Sequence, residues 1–222
     1  MSSRLNDPAY IISSWPLNNH ADDVVRGNDG TWTVEAYAAG PFGKSAGSFD
    51  GADSKVNINS TDLLQNLFKT GGTICCFVVA DSDGEGNEGK IASKITGFFV
   101  DVRNEAAGSM DIMFVHDFST TDGNWETTAT ELDVGIPTHI AWTYDASDVA
   151  NDPICYINGS AVGVTETQAP VGSSTDSTSD LVIGNYDNQS RTFDGMIWGV
   201  RCYSVILTGD EVMTLFRRGH FE

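Results

Sequence analysis

The chain has 222 residues, with 12 Lys+Arg against 31 Asp+Glu and a formal net charge of -19. So acidic a balance argues against nucleic acid as a partner, because phosphate binding depends on clustered cations, and against an anionic membrane surface. It keeps a chain soluble and suits cations or basic partners.

The length fits one all-β domain over 1–222 with a substantial core and no covalent staples. No apolar run is long enough to span a bilayer, so membrane insertion is not expected. The N-terminus, MSSRLNDPAYIISSW, lacks a charged region followed by an apolar one and reads as carrying no signal peptide. Two locations follow: a particle surface after synthesis in the cytosol, or the extracellular space if a signal has been removed. Cys75, Cys76, Cys155 and Cys202 show no CxxC spacing, so free, buried thiols are expected. The oxidation state of Cys155 and Cys202 stays open.

Taken in chain order, Tyr10–Leu17 reads as a first strand and Asn18–Gly30 as a loop. A strand over Thr31–Ala38 follows. Ser48–Gly51 and Ser54–Ile58 read as a hairpin, and Asp62–Phe68 has the apolar spacing of a short helix. Thr73–Ala80, TICCFVVA, is a continuous apolar run, the mark of a strand buried on both faces. Lys90–Lys94, Gly97–Arg103 and Met110–His116 form three further strands. Asn124–Leu132 is weaker.

Thr138–Tyr144 alternates, with Ile140, Trp142 and Tyr144 on one side. Ile154–Val164 is a hairpin around Asn158-Gly159, the strongest short-range hairpin signal. Gln168–Asp180 is a Ser/Thr/Gly-rich loop. Leu181–Phe216 then reads as strand, tight hairpin, strand and a short helix. Thr208 and Glu211 have the spacing of a capping box for that helix. Many short strands with little helix give an all-β class: a two-sheet antiparallel jelly-roll sandwich with one or two short helices.

The motifs Trp15–Leu17 with AGSFDG, THIAWTYD…ICYINGSAVG and LVIGN…FDGMIWGVRCYSVILTGDEVMTLF occur in this order over nearly the whole chain. Together they resemble the concanavalin A-like, laminin-G-type jelly rolls. In that family an IG strand precedes F-x-G-x-I, and W-x-H-V-A-x-T-Y-D precedes Y-x-N-G. The leading tryptophan of the second motif is replaced here, since Pro137 and Thr138 precede His139. The resemblance implies the sandwich fold and places Phe49, Trp142, Phe193 and Ile197 on the inner faces of its sheets.

Fold alone does not give activity. A glycoside hydrolase needs two acidic residues flanking the scissile bond, and no E-x-D-x-E run exists. Met110–Phe114 offers Asp111 alone. His20, His116, His139 and His220 are scattered without ligand spacing, and no serine sits in a G-x-S-x-G elbow. The chain is therefore expected not to be an enzyme.

Calcium is the expected metal. Asp81, Asp83, Glu85 and Glu88 crowd one glycine-bearing loop, and hard divalent cations take several oxygens. Asp22, Asp23, Asn28 and Asp29 form a rival cluster, and a solvated acidic loop is the plain alternative to both. For glycans, which stack on aromatic rings and are oriented by amides and carboxylates, the candidate residues are Trp125, Tyr186, Asp187 and Asn188. Trp32 and Tyr37 read as packing residues.

The functional expectation is a non-catalytic, lectin-like binding or adhesion module that attaches to a glycan or protein surface, assisted by calcium. Its alternative is a virion structural protein, a phage capsid decoration or tail subunit, assembling into a larger particle or a homo-oligomer. A polysaccharide hydrolase or lyase ranks last.

Overall fold

The computed structural model describes residues 4–175 and 178–219 of the chain; His220 lies outside them. The first strands are β1 (Ile11–Trp15), β2 (Gly30–Thr33), β3 (Tyr37–Ala39), β4 (Ser45–Asp50) and β5 (Lys55–Ile58), followed by helix α1 (Asp62–Gln65). Next come β6 (Gly72–Ala80), β7 (Glu88–Lys94), β8 (Phe98–Ala106), β9 (Ser109–His116), β10 (Gly123–Thr127) and β11 (Leu132–Asp133). The last are β12 (Thr138–Tyr144), β13 (Ile154–Ile157), β14 (Ser160–Ala161), β15 (Val164–Gln168), β16 (Leu181–Ile183), β17 (Asp194–Tyr203) and helix α2 (Gly209–Gly219).

Among the described residues these strands form two antiparallel sheets. The eight-stranded sheet runs β14-β13-β12-β6-β17-β4-β3, with β1 also paired to β17. The nine-stranded sheet runs β15-β10-β9-β8-β7-β16-β5-β2, with β11 on β9. Inner side chains of both sheets meet in one apolar cluster that includes Trp15, Phe49, Phe114, Trp142, Phe193 and Ile197. Each large side chain removed from water contributes roughly 1.5–3 kcal/mol. The result is the two-sheet jelly-roll sandwich expected from the sequence.

The continuous apolar run becomes β6, buried at all nine positions. Its neighbouring cysteines separate across the sheet, because successive strand residues face opposite sides. Cys76 joins the main core and Cys75 a second cluster beneath α2. Asn158 and Gly159 adopt φ of 51° and 81° in the turn between β13 and β14, as the Asn-Gly signal requires. The capping box is present too. Glu211 Oε2 accepts from the Thr208 N–H at 2.9 Å, and the Glu211 N–H donates to Thr208 Oγ1 at 3.4 Å.

Three sequence expectations are corrected. Ser48–Gly51 and Ser54–Ile58 do not pair as a hairpin. β4 lies in the eight-stranded sheet and β5 in the nine-stranded one. The same holds for the closing stretch: β16 pairs with β5 and β7, whereas β17 pairs with β6, β4 and β1. The stretch Thr31–Ala38 also divides, β2 to one sheet and β3 to the other. In the first two cases turn residues mark where the chain reverses but carry no information on whether it returns to the same sheet, and between β2 and β3 the chain reverses at Val34, φ 54°, without any turn residue.

Candidate functional site

The outer face of the nine-stranded sheet carries charge where a strand interior is normally apolar. β7 and β8 pair with Lys90 opposite Asp101, beside an irregularity in register between Lys90 and Ala92. Asp101 is fully buried and Lys90 is 3% exposed. Asp101 Oδ2 accepts from Lys90 Nζ, and its two oxygens take Arg103 Nε and Nη2 at 2.9 and 2.8 Å.

The Lys90 ammonium also lies 3.9 Å from the centre of the Phe99 ring, a cation–π contact. Glu88 stands 3.7 Å from Lys90 and 3.2 Å from Arg191. Burial works against the Glu88 charge, but Lys90 and Arg191 outweigh it and hold the carboxyl below its usual range. Burial likewise opposes the Arg103 charge, and the hydrogen bonds to Asp101 reverse the sign and raise its pKa.

Tyr186 reaches this network from the loop after β16. Asn185, fully buried, holds that loop at both ends. Its Oδ1 accepts from the Tyr186 and Arg191 N–H groups at 2.7 and 3.1 Å, and its Nδ2 donates to Thr192 Oγ1 at 2.6 Å and the Ser54 carbonyl at 3.2 Å. The half-buried Tyr186 ring stands edge-on to Phe99, with centres 6.5 Å apart at 90°. Burial raises its pKa. Between them opens a cavity of about 230 Å³ lined by Glu88, Lys90, Phe99, Tyr186, Ser190 and Arg191.

Of the expected glycan residues, Tyr186 alone lines this cavity. Asp187 and Asn188 are exposed on the adjoining loop tip. Lys55 Nζ donates to the Asp187 carbonyl at 2.6 Å, and Ser190 Oγ donates to Asn188 Oδ1 at 2.6 Å. Trp125 requires a correction. It is 1% exposed, packs 5.1 Å from Tyr144 in the core, and donates through Nε1 to Asp152 at 2.8 Å. It has no face open to a sugar. Its polar neighbours Asn124 and Glu126 point the other way, as strand alternation demands.

The acidic loop does not gather into one ligand set. Among the described residues no group of three or more His, Cys, Asp or Glu side chains converges to hold a metal ion. Asp83 accepts from the Glu105 N–H, and Glu85 from the Thr192 N–H and hydroxyl. Glu88 faces Lys90 and Arg191, leaving Asp81 exposed near Asp194. These four carboxylates therefore do not fit the calcium site expected of them. In the rival cluster Asp23 is 6% exposed and accepts backbone N–H groups from Ser14, Val25, Arg26 and Asn28, so its lone pairs organise the loop itself.

Sequence reasoning missed Lys90, Phe99, Asp101 and Arg103. Their signal was the run GFFVDVR, in which Phe99, Asp101 and Arg103 share one strand face. It also missed a carboxylate pair, because the two members sit on different strands. Asn104 Nδ2 donates to Asp111 Oδ2 at 3.0 Å and to Glu126 Oε1 at 2.9 Å, joining β9 to β10. Burial, and then the Asp111 charge, raise the Glu126 pKa.

Comparison with known proteins agrees with the architecture. No curated protein matches the chain in sequence. Among solved structures, domain 4 of AbnA, a GH43 extracellular arabinanase from Geobacillus stearothermophilus in complex with arabinotriose, superposes with a TM-score of 0.66 at 18% identity. That alignment covers 92% of this chain and 97% of the domain. The binding domain of Paraclostridial Mosquitocidal Protein 1 gives 0.71 at 14% identity, over 94% of this chain and 52% of the other. The binding domain of botulinum neurotoxin DC in complex with SialylT gives 0.68 at 12%, over 98% and 53%. The chain thus spans about half the length of the toxin domains, and at these identities the likeness is one of fold. Residues 50–213 match the laminin-G-type family described as the concanavalin A-like lectin/glucanases superfamily, and the chain belongs to that family.

Proposed function

We propose that this chain is a non-catalytic, lectin-like module that binds glycan at the Tyr186–Phe99 cavity. The observation that carries the reading is the composition of that cavity: two aromatic rings set beside a carboxylate, a hydroxyl, an ammonium and a guanidinium. Apolar ring faces take up the C–H surface of a sugar, while fixed charged and hydroxyl groups orient its hydroxyls. The polar groups are preorganised, since Asn185 clamps the loop and Asp101 anchors Lys90, so little ordering cost attends binding. Family membership and structural neighbours seen with arabinotriose and a sialyl sugar support the same reading.

The test is a glycan array followed by calorimetric titration of any hit. Tyr186→Ala is expected to weaken binding by about ten-fold, roughly 1.4 kcal/mol, with only a small drop in melting temperature because just part of the ring is buried. Absence of binding to every glycan overturns the proposal. Reducing-sugar release from a polysaccharide that Asp111→Asn abolishes would overturn its non-catalytic part.

A further inference from the structure

The polar surface that begins in the Tyr186 cavity does not end at Glu88. Glu88 of β7 stands opposite Arg103 of β8, and Arg103 stands opposite Asp111 of β9. Neighbouring strands lie about 4.8 Å apart, so this row carries polar side chains roughly 10 Å across the sheet. Along β8 itself Phe99, Asp101 and Arg103 share the outer face, because Val100 and Val102 enter the core. At about 3.3 Å per residue, that face runs about 13 Å from the ring lining the cavity.

A bulge lengthens the face by one residue. The register between β8 and β9 shifts after Arg103, and Asn104 takes a φ of 58°. Regular alternation would send its side chain inward, on the side of Val102. Instead its amide meets Asp111 and Glu126, which face outward because Met110, Ile112 and Trp125 are core. Bulges commonly re-aim a side chain in this way at functional places.

The Asn104 amide is held in one orientation. Its Nδ2 donates to Asp111 Oδ2 at 3.0 Å and to Glu126 Oε1 at 2.9 Å. Its Oδ1 accepts no hydrogen bond among the described residues, and the residue is exposed. A carbonyl fixed by its own amide donors and open to solvent is an acceptor ready for a hydroxyl.

Arg103 joins the two ends. It is bonded to Asp101, and its charge is favoured further by Glu88 in the cavity and by Glu126 beside Asn104. The loop before β7 flanks this track, since Asp83 Oδ2 accepts from the Glu105 N–H at 3.2 Å.

We propose that the glycan is a linear oligosaccharide, with one unit between Tyr186 and Phe99 and the following units laid along β8 past Arg103 to the Asn104 carbonyl. The inference rests on the glycan reading and adds its substrate class, a chain of several units in place of a single terminal sugar.

The test uses the full chain on an array presenting arabinose, xylose, glucose, mannose and galactose series, each from monosaccharide to hexasaccharide. The strongest series is then titrated by calorimetry. Affinity is expected to rise about ten-fold from the monosaccharide to the longer members and then level off. Asn104→Ala is expected to weaken the longest member about five-fold and leave the monosaccharide unchanged, whereas Tyr186→Ala weakens every member. Asn104 is exposed, and an unchanged monosaccharide affinity shows that its variant is folded. Equal affinity at all lengths, or a long member indifferent to Asn104→Ala, overturns this inference and leaves the Tyr186 cavity standing. Absence of binding in every series overturns the glycan reading and this inference together.

Discussion

On the nine-stranded sheet the outer face buries ions: Asp101 is held between Lys90 and Arg103, with Glu88 and Arg191 extending the network to the Tyr186 loop. On the eight-stranded sheet the outer face buries apolar side chains. Cys75, Ala141 and Tyr156 lie under Val212 and Leu215 of α2, while Phe77, Val79 and Trp198 form a neighbouring cluster. Apolar packing stabilises in proportion to area and tolerates swaps of one apolar side chain for another of similar volume. A buried ion network adds little net stability when intact but is costly to leave half-made. The first face is therefore built for fixed geometry and the second for adhesion of a covering helix.

The largest expected effect breaks that comparison on its charged side. Asp101→Ala leaves two cations without their acceptor and is expected to cost about 3–5 kcal/mol in urea unfolding. A loss below about 1 kcal/mol would mean that solvent reaches the network and that the faces do not differ as described.

Next is Leu215→Ala on α2, where a side chain 2% exposed is truncated in a purely apolar setting. About 2–3 kcal/mol is expected. This loss should be the same at low and high salt, because no charge is involved.

The smallest effect concerns the boundary between the layers. Burial lowers the His116 pKa to about 4, and burial, with Asp122, raises that of Asp117 to about 6. Between those values the unfolded chain binds more protons at His116 and the folded chain more at Asp117. The imidazole therefore makes stability fall as pH drops from 6.5 towards 4, while the carboxyl makes it rise. The two slopes oppose each other. Asp117→Asn removes the carboxyl's contribution, so the loss of stability between pH 7 and pH 4.5 should grow by about 1 kcal/mol, the partly exposed carboxyl being screened by solvent.

Much of the fold was legible because its signals are local. The all-apolar run of β6, the Asn-Gly turn and the Thr208–Glu211 cap each depend on residues close in sequence, and each formed as read. Strand partners were less legible. Leu181–Ile183 and Asp194–Tyr203 look like two arms of a hairpin, yet their inward side chains come from opposite sheets and meet in the middle of the core. Of the site, Tyr186 could be picked out as an aromatic among turn residues. Trp125 looked similar and is core, because its setting between Asn124 and Glu126 is equally that of a strand with one polar face. The pairing of Asp111 with Glu126 requires knowing that β9 and β10 are neighbours, which no spacing within either strand records.

The position of β17 has one more consequence. It lies between β6 and β4, and it also receives β1, so Trp15 meets Val200 and Phe49 meets Gly195. Gly195 can approach so closely because an added Cβ would come 2.1 Å from the Val79 carbonyl oxygen. During synthesis, β1, β4 and β6 all emerge long before this shared partner. Until residues 194–203 leave the ribosome, the most apolar strand of the protein has an open edge. Folding of this sheet is thus governed by closure over most of the chain's length, which makes it slow. The waiting nascent chain exposes an edge that other chains can pair with.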